Sequence, residues 1–299
     1  MLHAAPSASA KRARLRSRLT AGPILALPGA FNPLSAMLIE RHGFEGVYLS
    51  GAVLAADLGL PDIGLTTLSE VAARSAQVAR VTGIATIVDA DTGFGEPMNV
   101  ARTVQLLEDA GVAGLHLEDQ VNPKRCGHLD GKQVVELDMA LRRINAAASA
   151  RRDPELLIIA RTDARAVEGL DSAIERARAY VDAGADAVFP EALLDEREFE
   201  AMRAAVSVPI LANMTEFGKG PSLSVAQLGE LGVDMVIFPV SLLRLAMGAA
   251  DRALDLLDRE GTLSAMLGEM QTRAELYDLL DYESFNAFDR SVFDFTIGT

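Results

Sequence analysis

Eight short runs of nearly continuous apolar residues punctuate the chain, and each turns polar at its C-terminal end. They are ILALPGAF (24–31), GVYLSG (46–51), ATIVDAD (85–91), GLHLED (114–119), LLIIARTDA (156–164), AVFPEA (187–192), PILANMT (209–215) and MVIFPV (235–240). Continuous apolarity, rather than alternation, is the mark of parallel strands covered on both faces. Between these runs lie segments such as NVARTVQLLEDAG (99–111) and GLDSAIERARAYVDAGAD (169–186), with apolar residues spaced by three and four and a glycine at the end. That spacing predicts helices closed by glycine caps. Eight strand-then-helix units with no dividing linker predict an α/β fold, a (β/α)8 TIM-type barrel occupying residues 1–299 as one domain. The competing doubly wound open sheet would carry a Gly-rich GxGxxG turn after its first strand, which is absent here.

Two segments lie outside the repeat. SASAKRARLRSRL (7–19) is rich in Arg, Ser and Ala and precedes the first acidic residue, Glu40. That composition would suit an organelle transit peptide, but Leu15 and Leu19 share one face, so we read a first helix over about 10–20. Beyond the eighth run, residues 241–299 exceed one closing helix. MQTRAELYDLLDYESF (270–285) predicts a helical extension whose Tyr277, Leu280 and Tyr282 offer apolar surface to the barrel or to a neighbouring subunit.

Composition narrows the function. Hydrophobic residues at 49% and charged residues at 23% fit a globular enzyme. A net charge of −14 argues against nucleic acid or an anionic membrane as partner, and leaves a small acidic substrate. A single cysteine excludes an intrachain disulfide framework and a cysteine zinc cluster. With no apolar run near the ~20 residues of a membrane span and no evident secretory signal, a cytoplasmic protein is expected.

In a barrel of this kind the chemistry collects at the C-terminal strand ends. Those ends carry Ser50 and Gly51, Asp89 and Asp91, Glu118 and Asp119, Arg161 and Asp163, Glu191, and Asn213 and Thr215. Any one of them could be a helix N-cap, Asp119 and Asp163 above all, but capping does not account for so many on one rim. In VDADTGFG (88–95), Asp89 and Asp91 form a pair at a strand end, and Gly93 and Gly95 permit a tight turn. Paired carboxylates without thiol or imidazole suit a hard divalent ion, Mg²⁺ or alternatively Mn²⁺, with Asp62 and Glu118 reaching it through water. The alternative is a metal-free acid–base pair. Cys126, in PKRCGHLDGK (123–132), falls in the loop after the fourth strand. Lys124 and Arg125 would favour its thiolate, and His128 could hold or exchange its proton. His116, within a strand, reads equally as a hydrogen-bonded core residue.

KRCGH, VDADTGFG, LHLEDQ, ARTDA and FPEA, with GLPDIG, NVARTV, LANMTEFGK and MQTRAELYDLL, resemble the isocitrate lyase and phosphoenolpyruvate mutase superfamily over roughly residues 20–295. The likeness is strongest to the branch that cleaves 2-methylisocitrate. It implies Mg²⁺-dependent cleavage of that tricarboxylate to pyruvate and succinate, in the methylcitrate route of propionate breakdown, by a tetramer that exchanges C-terminal helices. By position, Asp89 would be the direct metal ligand, with Asp62, Asp91 and Glu118 acting largely through water. Ser50, Gly51 and Ala52 would hold the pyruvate carboxylate, Arg161 the oxyanion side, and Glu191 and Asn213 would lie near the succinate portion, with Gly127 and Thr215 as further substrate-binding candidates. Cys126 would protonate the succinate carbanion from a loop with Gly127 and Gly131 as hinges. Phe189 and Val240 are candidates for the methyl pocket, and Tyr48 for the base. Many relatives have Ser-Gly-Gly where this chain has Ser-Gly-Ala, which keeps the backbone N–H and affects geometry rather than chemistry. Oxaloacetate hydrolysis, cleavage of dimethylmalate or isocitrate, and a non-catalytic barrel are the alternatives.

Overall fold

The computed structural model describes residues 6–127 and 131–294. Its strands are β1 (Leu25–Pro28), β2 (Gly46–Leu49), β3 (Ala85–Asp89), β4 (Gly114–Glu118), β5 (Leu157–Thr162), β6 (Ala187–Pro190), β7 (Leu211–Asn213) and β8 (Met235–Phe238), each inside a predicted run. Strands β2 to β6 pair in chain order, and β1, β8 and β7 pair in turn, all parallel. Both seams are closed by backbone hydrogen bonds. Ala30 N–H donates to Tyr48 O at 2.9 Å beside β1 and β2, and Val188 N–H donates to Pro209 O at 3.0 Å between β6 and β7. The result is a (β/α)8 barrel.

Side chains alternate along each strand, which sorts the core into two layers. Leu25, Leu27, Tyr48, Ile87, Ile159, Phe189 and Ile237 pack with one another inside the barrel. Their neighbours Val47, Leu49, Val88, Leu115 and Ile158 pack outward against the helices. The inward rows run upward from apolar to charged: Ile87 to Asp89, His116 to Glu118, Ile159 to Arg161, Phe189 to Glu191.

The helix Ala8–Ala21 closes the lower end, where Leu15 joins the interior cluster and Leu19 packs against it. Its basic residues have structural partners. Buried Lys11 donates to Ala79 O at 2.6 Å, and buried Arg12 to Val112 O at 2.9 Å and Glu108 O at 2.7 Å. Ala79 and Glu108 lie in the last turns of the helices Leu68–Val81 and Pro97–Asp109, where unpaired carbonyls and the helix dipole favour cations.

At the other end of the chain, the helix Ser241–Glu260 buries no residue and exposes Leu245, Met247 and Leu254. Outside β1 and β8, between the helices Pro33–Arg41 and Val225–Glu230, an apolar groove of about 560 Å³ is lined by Ala26, Pro28, Leu38, Ile39, Phe44 and Phe238, among others. Helices Arg273–Leu279 and Tyr282–Phe293 follow, with Tyr277, Leu280 and Tyr282 exposed.

Candidate active site

The charged upper rows converge on a cavity of about 160 Å³ at the C-terminal mouth, walled by Tyr48, Ser50, Ala52, Asp62, Asp89, Cys126, Gly127, Arg161, Glu191, Asn213, Thr215 and Val240. Lys124, Arg125, Glu216, Phe217, Gly218, Ile237, Pro239 and Arg244 complete its lining.

Local structure explains the acidic wall. After β3 the chain turns with Asp91 in the left-handed region, φ 47°, and its N–H donates to Asp89 Oδ1 at 3.0 Å. A non-glycine residue there is uncommon and marks a site that needs it. Gly93 follows at φ 89°, where a Cβ would lie 2.6 Å from Val100 Cγ2, so only glycine completes the turn. A Cβ on Gly51 would press on Asp89 Oδ2 at 3.0 Å and Asp91 Oδ1 at 3.2 Å, and the Gly51 N–H donates to Asp89 Oδ2 at 3.1 Å. This corrects one expectation: the Gly51 N–H is engaged by the acidic wall rather than open to a substrate carboxylate. Ser50 precedes the helix Gly51–Asp57 but makes no side-chain capping bond, and together with Ala52 it faces the cavity.

Lys124 also departs from expectation. Its Nζ lies 2.5 Å from Asp62 and 2.7 Å from Asp91, so its charge is engaged by the carboxylates of the acidic wall. Burial alone would lower its pKa, but Glu118, Asp91, Asp89 and Asp62 outweigh burial and raise it. Asp89 and Asp91 are driven apart. Burial opposes charge on Asp89, yet His116, Lys124 and Arg161 hold it down at about 2. Burial, then the Asp89 charge, pushes Asp91 up to about 6. Burial likewise raises Glu118 well above the usual carboxylate range, and its Oε1 has no hydrogen-bond partner among the described residues.

The chemistry of the wall suits a divalent ion held by few protein ligands. Among the described residues no three Asp, Glu, His or Cys side chains are disposed to hold an ion together. Asp89 and Asp62 reach the cavity and Glu118 carries an unsatisfied oxygen. That donor set suits a hard ion held by one or two carboxylates that keeps much of its water.

Opposite stands Arg161, buried over the Phe189 ring at 5.0 Å. It meets Glu191 at 3.2 Å, Glu118 at 3.3 Å and Asp163 at 3.0 Å. Burial would lower its pKa, but Asp163, Glu191 and Glu118 raise it further, and it stays charged. Asn213 Nδ2 donates to Glu191 at 3.3 Å. Phe189, expected in the substrate pocket, is fully buried beneath the guanidinium and does not line the cavity. Val240 and Thr215 do line it, and Arg244 donates to the Thr215 hydroxyl at 3.2 Å.

Asp163 and Asp119 do not act as caps. Asp163 makes no side-chain capping bond and instead receives Arg161 and, at 2.8 Å, Lys132. Asp119 accepts from the Thr162 hydroxyl at 2.7 Å, the Asp163 N–H at 2.9 Å and the Tyr180 hydroxyl at 2.7 Å. Tyr48 OH lies 2.7 Å from His116 Nε2. Burial, then Asp89, raises the Tyr48 pKa well above 10, so the phenol rests protonated. Burial lowers His116 to about 4 and keeps the imidazole neutral. Tyr48 and His116 thus form a buried, uncharged hydrogen-bonded pair beside Asp89.

Cys126 is half-buried on the cavity wall. Its neighbour Gly127 packs so closely on Arg161 and Glu191 that any side chain would collide with them. Gly131 has φ 79°, and His128 lies outside the described residues.

Residues 15–257 match the phosphoenolpyruvate phosphomutase family. The chain is 60% identical over 286 residues to a probable 2-methylisocitrate lyase of Corynebacterium glutamicum, covering 96% of this chain and 93% of that one. Its fold matches a crystal structure of 2,3-dimethylmalate lyase with a TM-score of 0.89 at 33% identity, covering 99% and 100% of the two chains. It also matches phosphonopyruvate hydrolase in complex with oxalate and Mg²⁺, with a TM-score of 0.85 at 29% identity, covering 94% and 98%.

Proposed function

Because the chain belongs to the phosphoenolpyruvate mutase and isocitrate lyase superfamily, we propose that it is a carbon–carbon lyase cleaving 2-methylisocitrate to pyruvate and succinate. The observation that carries this reading is one cavity with an acidic wall at Asp89, a buried arginine at Arg161 and a thiol at Cys126. Each meets one demand of a retro-aldol cleavage. Mg²⁺, or Mn²⁺ in its place, would be held by Asp89 and, through water, by Asp62, Asp91 and Glu118, and would supply Lewis-acid stabilisation of the developing oxyanion.

The chain's own residues do the remainder. Ser50 and the Ala52 N–H orient the carboxylate that leaves in pyruvate. The hydroxyl proton passes to Tyr48 as Tyr48 hands its own to His116, 2.7 Å away. As the carbon–carbon bond breaks, its electron pair moves to the succinyl carbon and spreads into the adjacent carboxylate. Arg161 meets that charge with Asn213, Thr215 and Glu191 around it, a preorganised arrangement that needs no reorientation during the reaction. Cys126 gives its proton to the same carbon, and His128 returns one to the thiolate. Val240 faces the methyl group, while Phe189 acts from below by fixing Arg161.

The assembly belongs to the same proposal: one domain over residues 1–299, in a cytoplasmic tetramer that exchanges C-terminal helices. Supporting it, the Ser241–Glu260 helix leaves the barrel with its apolar face uncovered, beside a groove of matching character. Among the described residues no helix is long and apolar enough to cross a membrane.

The test is a substrate panel with Mg²⁺. It follows pyruvate from 2-methylisocitrate and from 2,3-dimethylmalate, glyoxylate from isocitrate, and oxalate from oxaloacetate. The highest kcat/KM is expected for 2-methylisocitrate, and turnover of oxaloacetate alone would overturn the reading.

A further inference from the structure

Lys132 lies outside the residues that line the cavity, yet it is buried at 9% exposure. Its Nζ donates to the Gly127 carbonyl and, at 2.8 Å, to Asp163 Oδ1. Asp163 is fully buried and receives Arg161 through Nε at 3.0 Å and Nη2 at 3.2 Å. One ammonium therefore joins the backbone beside Cys126 to the carboxylate that orients Arg161. Gly127 reinforces the contact, since its missing side chain lets the loop backbone rest on Arg161 and Glu191. A buried lysine is costly unless its donors are matched. Here both partners belong to the two halves of the site.

We propose that Lys132 is a positioning residue that sets the Cys126 thiol in register with the Arg161 guanidinium, by tying the Gly127 carbonyl to Asp163. It touches neither substrate nor reacting atoms in this scheme. The inference rests on the reading of Cys126 as the acid only for its effect on turnover; the tether can be measured without any turnover.

Cys126 is the one cysteine in the chain, so alkylation by iodoacetamide reports its exposure directly. The experiment compares wild type, Lys132→Met and Lys132→Arg across pH, with mass spectrometry as the readout. The plateau rate at high pH, where every thiol is ionised, separates exposure from acidity. The Met variant should alkylate about tenfold faster at the plateau, and the Arg variant, which keeps the charge, within about threefold of wild type. With 2-methylisocitrate, the Met variant should lose about a hundredfold in kcat with KM within threefold, the mark of a misplaced group rather than lost binding. Circular dichroism and Mn²⁺ affinity check that the fold and acidic wall survive; should the Met variant not fold, Lys132→Gln takes its place under the same criteria. A Met plateau within twofold of wild type, or an Arg plateau as fast as that of Met, would overturn the tether. Faster alkylation in a protein that turns over none of the panel would uphold the tether and reject the proposed reaction instead.

Discussion

Ile159 and Arg161 are two residues apart on β5 and point the same way, but their surroundings have opposite logic. Ile159 is surrounded by apolar side chains of the other strands and helps hold the barrel closed. Arg161, one step higher, is buried among Glu118, Asp163 and Glu191. Burial of Ile159 stabilises the fold by dehydration and close packing. Burial of a charged cluster is often neutral or unfavourable against an apolar replacement, because desolvation offsets the attraction between charges. The lower layer is thus accounted for by stability, and the upper layer by chemistry.

At the boundary between the lower and upper layers His116 sits fully buried. Its folded pKa, about 4, lies below the ordinary 6.5. As pH falls below 6.5 the unfolded chain takes up this proton first, so the contribution is complete above 6.5 and lost progressively down to about 4. In urea denaturation with EDTA, the stability gap between wild type and His116→Gln should shrink by up to about 3 kcal/mol from pH 7 to pH 4. A gap that stays constant would mean that His116 is not held neutral.

A smaller effect is expected below. Ile159→Val should cost about 1 kcal/mol in the same assay and leave kcat/KM within about twofold. A loss of activity out of proportion to that cost would show that the two layers are not separable.

The sequence made the lower layer legible because burial on both faces writes itself as an apolar run. It also disclosed Asp89, Arg161 and Glu191, since a polar residue ending such a run has few other uses. What stayed hidden was which groups meet across the barrel. Lys124 sits two positions from Cys126 in the chain, and proximity suggested a thiolate partner. Its ion-pair partners include Asp62, 62 residues away, and Asp91, contacts no local pattern encodes. Asp163 and Asp119 looked like caps because capping is a local rule, whereas their actual donors come from β5, from the helix Leu170–Asp182 and from Lys132. In the C-terminal arm the pattern disclosed apolar faces, but an apolar face does not say what covers it.

In the proposed reaction Cys126 supplies the proton that completes cleavage. The most direct measurement is turnover of 2-methylisocitrate by Cys126→Ser, with Mn²⁺ affinity and thermal midpoint recorded on the same preparation. A fall in kcat of about 10²–10⁴-fold is expected, with metal affinity and midpoint unchanged. Turnover within tenfold of wild type would contradict it.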